Sequence, residues 1–182
     1  MSASPDELPR YTVSDYASWK GNWELWNGYP IATTPSPIGK HQVVLGELFA
    51  QIRSSIRASG CRANALIELD WIVDDATVVR PDLVVVCGEF PQRHLELTPD
   101  LVVEVLSPST RQNDWTFKQH LYAANHVKTY IIADPDEKSL DVLRLAENSY
   151  VRESFANTDD RCELSVCDHC SMLIDPSEVF TG

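Results

Sequence analysis

The chain has 182 residues, 43% hydrophobic and 23% charged, and 27 acidic side chains against 15 Lys plus Arg give it a net charge of -12 and a pI near 4.7. Length and composition fit one globular α/β-sized domain that can bury most of its apolar surface without a metal or disulfide staple. The charge argues against a simple electrostatic nucleic-acid binder, because phosphate affinity normally comes from clustered Lys and Arg.

The first ten residues, MSASPDELPR, form a polar tail with no basic region leading into an apolar stretch, and a cytoplasmic protein is expected. A single domain over 11–182 follows. Thr12 and Asp15 are spaced as a capping box for a short helix over 12–20. Strands over 23–26 and 29–33 flank Asn27-Gly28, the strongest two-residue hairpin signal. PSPIGKH then approaches a helix over 40–58, where Leu45, Leu48, Phe49, Ile52 and Ile56 recur at helical spacing, with Gly60 as its stop. Over 62–73 the pattern turns to alternation, Ile67, Leu69, Trp71 and Val73 against Glu68 and Asp70, which reads as one strand with a wet face. Asp74-Asp75 makes a turn, Val78 and Val79 begin another strand, and Pro81 breaks it before the apolar run 83–87. A strand over 101–106, a helix over 113–124 and a strand over 127–133 suggest a crossover between parallel strands. Short strands over 139–145, 150–155 and 162–166 complete an α/β fold, a mixed β-sheet flanked by helices with extra C-terminal strands. No apolar run approaches the roughly 20 residues that span a bilayer, so no membrane partner is expected.

Glu104 stands in LVVEVL with aliphatic neighbours on both sides. An ionised carboxylate there costs several kcal/mol or more to bury alone, so it needs a cation, a hydrogen-bond network or a raised pKa. Asp82 in VVRPDLVVV is the second such acid, on the neighbouring apolar strand. Two carboxylates plus water are what Mg²⁺ accepts, although Arg80 or Lys118 could equally pair with either acid.

With these residues in place, the chain resembles a known family. RPDLVVV at 80–86, PDLVVEVLSPST at 99–110, then Asp114, Lys118, Tyr122, Val127, Tyr130 and Asp134-Pro135, together with Glu24, Asn27-Gly28 and PSPIGKH, are similar to the Uma two family of restriction endonuclease domains in the PD-(D/E)xK nuclease superfamily. The resemblance covers roughly residues 10–145 and implies a restriction-endonuclease-like fold. It implies that Asp82 and Glu104 are metal ligands. The motif lysine, expected two residues after the acid, is here Leu106, and the resemblance implies that Lys118 on the following helix replaces it, with Asp114 one turn before on the same face. An i,i+4 ion pair on a solvated helix is the plainer reading of Asp114 and Lys118. Glu24 resembles the acid that the superfamily often contributes from its amino-terminal portion.

The implied activity is Mg²⁺- or Mn²⁺-dependent hydrolysis of DNA, with Asp82, Glu104 and Lys118 as catalytic residues. Two alternatives stand beside it: a catalytically inactive nuclease-fold module that binds nucleic acid or protein, favoured by Leu106, and a hydrolase of small phosphorylated compounds. Superfamily members often form homodimers, which an exposed sheet edge would permit. Other features carry less. Cys162, Cys167, His169 and Cys170 lie within nine positions, but their gaps are poor for Zn²⁺. Five cysteines, an odd and scattered set, are expected as reduced thiols. His41 at a helix start reads first as a cap or core partner, though it shares a face with Leu45, Leu48 and Ile52. Ser107-Pro108-Ser109-Thr110 reads as a helix-capping turn. Residues 134–182 hold 12 acids against 4 bases, whereas 36–62 has 4 bases against 1 acid, so a phosphate backbone is expected near Lys40, Arg53, Arg57 and Arg62.

Overall fold

The computed structural model describes residues 8–33, 39–89, 91–168 and 170–181. Most of the polar tail, residues 34–38 of the Pro-rich approach and His169 lie outside them. Thr12 caps α1 (Val13–Tyr16) through the expected capping box, but the helix is shorter than 12–20. The hairpin of β1 (Trp23–Trp26) and β2 (Tyr29–Ala32) turns on Asn27 and Gly28, both at positive φ, 49° and 85°. A Cβ on Gly28 would sit 3.2 Å from Arg10 Cβ, so glycine is required there for space as well as for φ. Helix α2 (Gly39–Ala58) buries His41, Val44, Leu45, Leu48, Ile52 and Ile56 along one stripe.

The single strand read over 62–73 is two strands in different sheets. β3 (Ala63–Ile67) ends where Glu68 turns to a φ of 49°, and β4 (Trp71–Asp74) starts afresh. Alternation carries across the break only by parity, and Ile67, which it assigns to the covered face, is 48% exposed. β5 (Thr77–Val79), β6 (Leu83–Cys87) and β7 (Leu101–Val105) follow. From β7 the chain passes through α3 (Arg111–Asn113), a π-helical turn (Asp114–Lys118) and α4 (Gln119–Ala124) to β8 (Thr129–Asp134), which pairs parallel with β7. β9 (Ser139–Ala146), β10 (Ser149–Asn157) and β11 (Cys162–Val166) are joined by β12 (Cys170–Ile174) and α5 (Pro176–Val179), which the sequence pattern does not announce.

The result is the expected mixed sheet flanked by helices with added C-terminal strands. A six-stranded sheet runs β10-β9-β8-β7-β6-β3, a four-stranded sheet runs β2-β1-β5-β4, and β11-β12 form a hairpin. Parity divides the core. Leu83, Val85, Leu101, Val103, Ile131 and Val142 pack beneath α2 and the β11-β12 hairpin, whereas Val84, Val86, Val102, Tyr130 and Ile132 face Tyr122 of α4 and Trp71 of β4. Both faces of β6 and β7 are covered, which is why their sequences are continuous aliphatic runs. Each fully buried Val or Leu there contributes roughly 1.5–3 kcal/mol. Glu104 belongs to the second, even-numbered set. Among the described residues no helix is long and apolar enough to cross a membrane.

The cysteines overturn the expectation of reduced thiols. Disulfides join Cys61 to Cys170 and Cys87 to Cys167, and only Cys162, buried in the core, is free. Cys61 precedes β3 and Cys87 ends β6, its antiparallel neighbour, so both present sulfur at one end of the sheet, where the hairpin carrying Cys167 and Cys170 docks. Sequence separations of 109 and 80 hide this pairing from any local pattern.

Candidate active site

Register places the two acids. β6 and β7 pair antiparallel with Leu83 opposite Val103 and Val84 opposite Val102, so continuing by one residue sets Asp82 opposite Glu104 on the same face. Directly opposed residues hold their Cβ atoms about 5 Å apart, close enough for two carboxylates to share one cation. Pro81 stands between β5 and β6 and Asp82 immediately before β6, while Glu104 lies inside β7, 2% exposed.

Each acid spends one oxygen on the protein. Asp82 Oδ2 accepts the Val105 N–H at 2.7 Å and lies 3.2 Å from His41 Nε2. Glu104 Oε1 accepts from Lys118 Nζ at 2.9 Å and from the Tyr122 hydroxyl at 2.6 Å. Asp82 Oδ1 and Glu104 Oε2 have no hydrogen bond from the described residues, and both side chains line a cleft of about 160 Å³ with Glu24, His41, Glu68 and Lys118. Glu24, on β1, is committed on both sides: Oε1 accepts the Arg80 backbone N–H at 2.9 Å and Oε2 the Trp26 indole N–H at 2.6 Å, with Lys118 Nζ 3.7 Å away.

Lys118 and Asp114 are not on a solvated helix face. Lys118 is 6% and Asp114 1% exposed, both on the π-helical turn, a feature that recurs at functional sites. The Tyr130 hydroxyl donates to the Asp114 carbonyl oxygen at 3.0 Å, and Trp26 stacks on Phe117 with centroids 4.1 Å apart, fixing the turn against the small sheet. Lys118 Nζ approaches the Asp114 carboxylate at 3.6 Å, beyond hydrogen-bond length, and neither carboxylate oxygen of Asp114 has a hydrogen-bond partner among the described residues.

Burial pushes the Glu104 carboxyl well above the usual carboxylate range, against the pull of Lys118. For Lys118, burial is outweighed by Glu104, Glu24, Asp114 and Asp82, which hold the ammonium well above its ordinary value. Two donors converging on Oε1 are the pattern of a carboxylate, and we therefore take Lys118 as charged. Burial likewise raises Asp114, and His41 is raised because Asp82 outweighs the effect of burial. Four acids around one ammonium leave an excess of negative charge, and two free carboxylate oxygens face the cleft. That donor set, hard oxygens with room for water, fits Mg²⁺ or Mn²⁺.

The structure thus brings together Glu24, His41, Asp82, Glu104 and Lys118 in one cleft, with Asp114 beneath Lys118. Ser107 and Thr110 also line it, and each hydroxyl bonds the other at 3.0 Å. Arg80, considered as a partner for the acids, instead pairs with Asp70 at 2.6 Å. Leu106 is buried among apolar side chains, which leaves the position two residues after Glu104 no access to the cleft. Tyr122 is the residue whose role sequence reasoning missed, and its signal is its place one turn after Lys118 on the same helical path. Glu68 is the other, brought in by the break after β3. The basic residues of α2 lie apart from this cleft along the helix. Lys40 pairs with Asp136 at 3.4 Å, Arg53 lies over the Phe49 ring, and twelve residues of helix set Arg53 about 18 Å from His41. Of the four residues weighed for zinc, Cys167 and Cys170 are tied to Cys87 and Cys61, and His169 lies outside the described residues. Cys87, Asp100 and Cys167 do place ligand atoms within 4.8 Å, but the sulfurs are joined and Asp100 is held by Lys128 at 3.0 Å.

The sequence matches the model of the family described as "Putative restriction endonuclease" (Uma2) over residues 13–168. Among solved structures the fold is similar to that of "a putative nuclease belonging to DUF820" from Anabaena variabilis, with a TM-score of 0.75, 22% identity, and 93% of this chain and 97% of that chain covered. At that identity the likeness concerns fold. No curated protein matches.

Proposed function

Since the chain belongs to the Uma2 family of restriction endonuclease-type proteins, we propose that it is a metal-dependent endonuclease hydrolysing phosphodiester bonds of DNA. The observation that carries this reading is the convergence of Asp82 and Glu104 on one cleft, with Lys118 2.9 Å from Glu104. Asp82 and Glu104 would hold Mg²⁺ or Mn²⁺ through Oδ1 and Oε2. Bound there, the cation supplies Lewis acidity toward the phosphate and lowers the pKa of a water.

The chain's own residues do the rest. Lys118, kept charged by the surrounding acids, offers a fixed positive charge to the phosphoryl oxygens as they gain negative charge. It is not a general base, because its proton is held too tightly to leave near neutral pH. Tyr122 and Lys118 orient the Glu104 carboxylate, and the Val105 N–H with His41 orients Asp82. Asp114 and Glu24, with carboxylate oxygens 3.6 and 3.7 Å from the Lys118 ammonium, add to the negative field that holds it.

The test is cleavage of plasmid, oligonucleotide, RNA and nucleotide substrates by wild type and Asp82→Ala with Mg²⁺, Mn²⁺ or chelator. Wild type is expected to cut DNA only with the metal, and Asp82→Ala to lose at least about 100-fold. Equal cutting by the variant, or by chelated protein, overturns the reading.

A further inference from the structure

Behind Arg80 lies a second cavity, of about 490 Å³, that the proposed catalytic residues do not enter. Its walls include Tyr16, Trp19, Trp23, Arg80, Arg93 and His94. Arg80 lines the acidic cleft as well, and Asn22 of that cleft sits between Gly21 and Trp23 of this one, so the two spaces adjoin. We propose that this cavity is a nucleobase subsite, which takes an unpaired base of the nucleic-acid strand whose phosphate lies in the cleft. This rests on the nuclease reading above.

The rings form a connected platform. Tyr16 and Trp19 meet at 5.5 Å and 65°, Trp19 and Trp23 at 5.9 Å and 69°, and Tyr11 closes on Trp19 at 5.4 Å and 81°. Such edge-to-face groups are commonly small cores, but here none of the four rings is fully buried. They are nonetheless rigid. The Trp23 indole N–H donates to the Lys20 carbonyl at 3.0 Å, and the Tyr16 hydroxyl donates to Asp70 at 2.9 Å with the Trp23 carbonyl oxygen 3.0 Å away. A half-exposed aromatic held in place costs little further ordering when a base stacks on it, and stacking tolerates any base.

The charges suit the flanking phosphates. Arg80 is fixed by Asp70 at 2.6 Å and by Tyr16 and Asn22 at 3.4 Å, at the junction of the two spaces. Arg93 is exposed and has no acid partner among the described residues, which is notable in a chain of net charge -12. A base in the cavity and a phosphate beside Arg80 are adjacent parts of one nucleotide chain. A paired base would first have to be unpaired and unstacked, at a cost of a few kcal/mol, so the subsite favours single-stranded or locally opened substrate.

The experiment uses the full chain, metal-free at low salt, in a Glu104→Gln background that prevents cutting, and reads tryptophan quenching by a fluorescently silent oligonucleotide offered single-stranded or as duplex. The single strand is expected to quench and to bind at least about fivefold more tightly. Trp19→Ala should weaken it about tenfold and Trp19→Phe should restore most of the loss. Because Trp19 also packs the amino-terminal segment, Arg93→Gln, which breaks no ion pair or hydrogen bond among the described residues, provides an independent arm and should weaken binding with a salt slope lower by about one. In the cleaving enzyme, Trp19→Ala and Arg93→Gln should raise KM while kcat stays within about twofold, and Trp19→Phe should lie close to wild type. Equal binding of duplex and single strand, or affinities untouched by both Trp19→Ala and Arg93→Gln, overturns the subsite. Cleavage surviving Asp82→Ala would instead overturn the nuclease reading, so the two failures are separable.

Discussion

Glu24 Oε1 accepts the backbone N–H of Arg80 at 2.9 Å, two residues before Asp82. One hydrogen bond therefore ties the four-stranded sheet to the chain break that presents an acid to the cleft. Glu24→Gln retains an acceptor for Arg80 and is expected to cost under about 1.5 kcal/mol. Glu24→Ala leaves the partly buried Arg80 N–H and Trp26 indole N–H without this acceptor, and about 2–3 kcal/mol is expected. Urea unfolding followed by circular dichroism separates the two.

Removing Lys118 leaves Glu104, Glu24 and Asp114 facing one another without a cation. Lys118→Met is expected to destabilise by roughly 3–5 kcal/mol at neutral pH and to abolish cleavage. Burial already raises Glu104 and Asp114, and loss of the Lys118 charge that opposes it raises their folded values further above the unfolded ones. Stability so linked is present below the unfolded value and lost as pH rises through the folded one. The variant should therefore regain part of its melting temperature on mild acidification, and a melting curve series across pH checks the direction.

The Tyr122 hydroxyl bond lowers the Glu104 pKa, opposing the rise caused by burial. Tyr122→Phe removes that opposition, so Glu104 holds its proton to higher pH. The acidic limb of a metal-dependent rate profile is expected to move upward in pH, with little change on the plateau. A limb that stays in place would show that Glu104 ionisation does not govern it.

Reduction of the two disulfides is expected to lower stability by roughly 2–4 kcal/mol for each bridge, or about 5–15 °C in melting temperature each. Cys170→Ser and Cys167→Ser, melted with and without a reductant, assign the share of each. Loss of the Cys61–Cys170 bridge should loosen the face of α2 that meets β12, where Gln51 and Ser55 bond Asp175 and Leu173.

Legibility followed the range of the interactions. β6 and β7 declare themselves because a strand covered on both faces must be a continuous aliphatic run, and against it Glu104 is conspicuous. Capping-box and Asn-Gly signals are local chemistry and fold as written. Lys118 is different: beside Asp114 it has the spacing of a surface ion pair, and only the π-helical turn and the overlying Trp26–Phe117 stack bury it. Here the family resemblance pointed to the cleft where periodicity pointed to solvent. The 62–73 strand misled because Ile67 and Trp71 share a parity while belonging to different sheets. Cysteine pairing over 80 and 109 positions leaves no trace in spacing, and an odd count misdirects when one thiol is simply a core residue.

The two cystines also nest, with the ring closed by Cys87 and Cys167 lying inside that closed by Cys61 and Cys170. Residues 88–166 are therefore enclosed twice. A protease that nicks the exposed β9-β10 turn at Glu147 would leave both pieces in one covalent particle, which migrates as a single chain until reductant parts it.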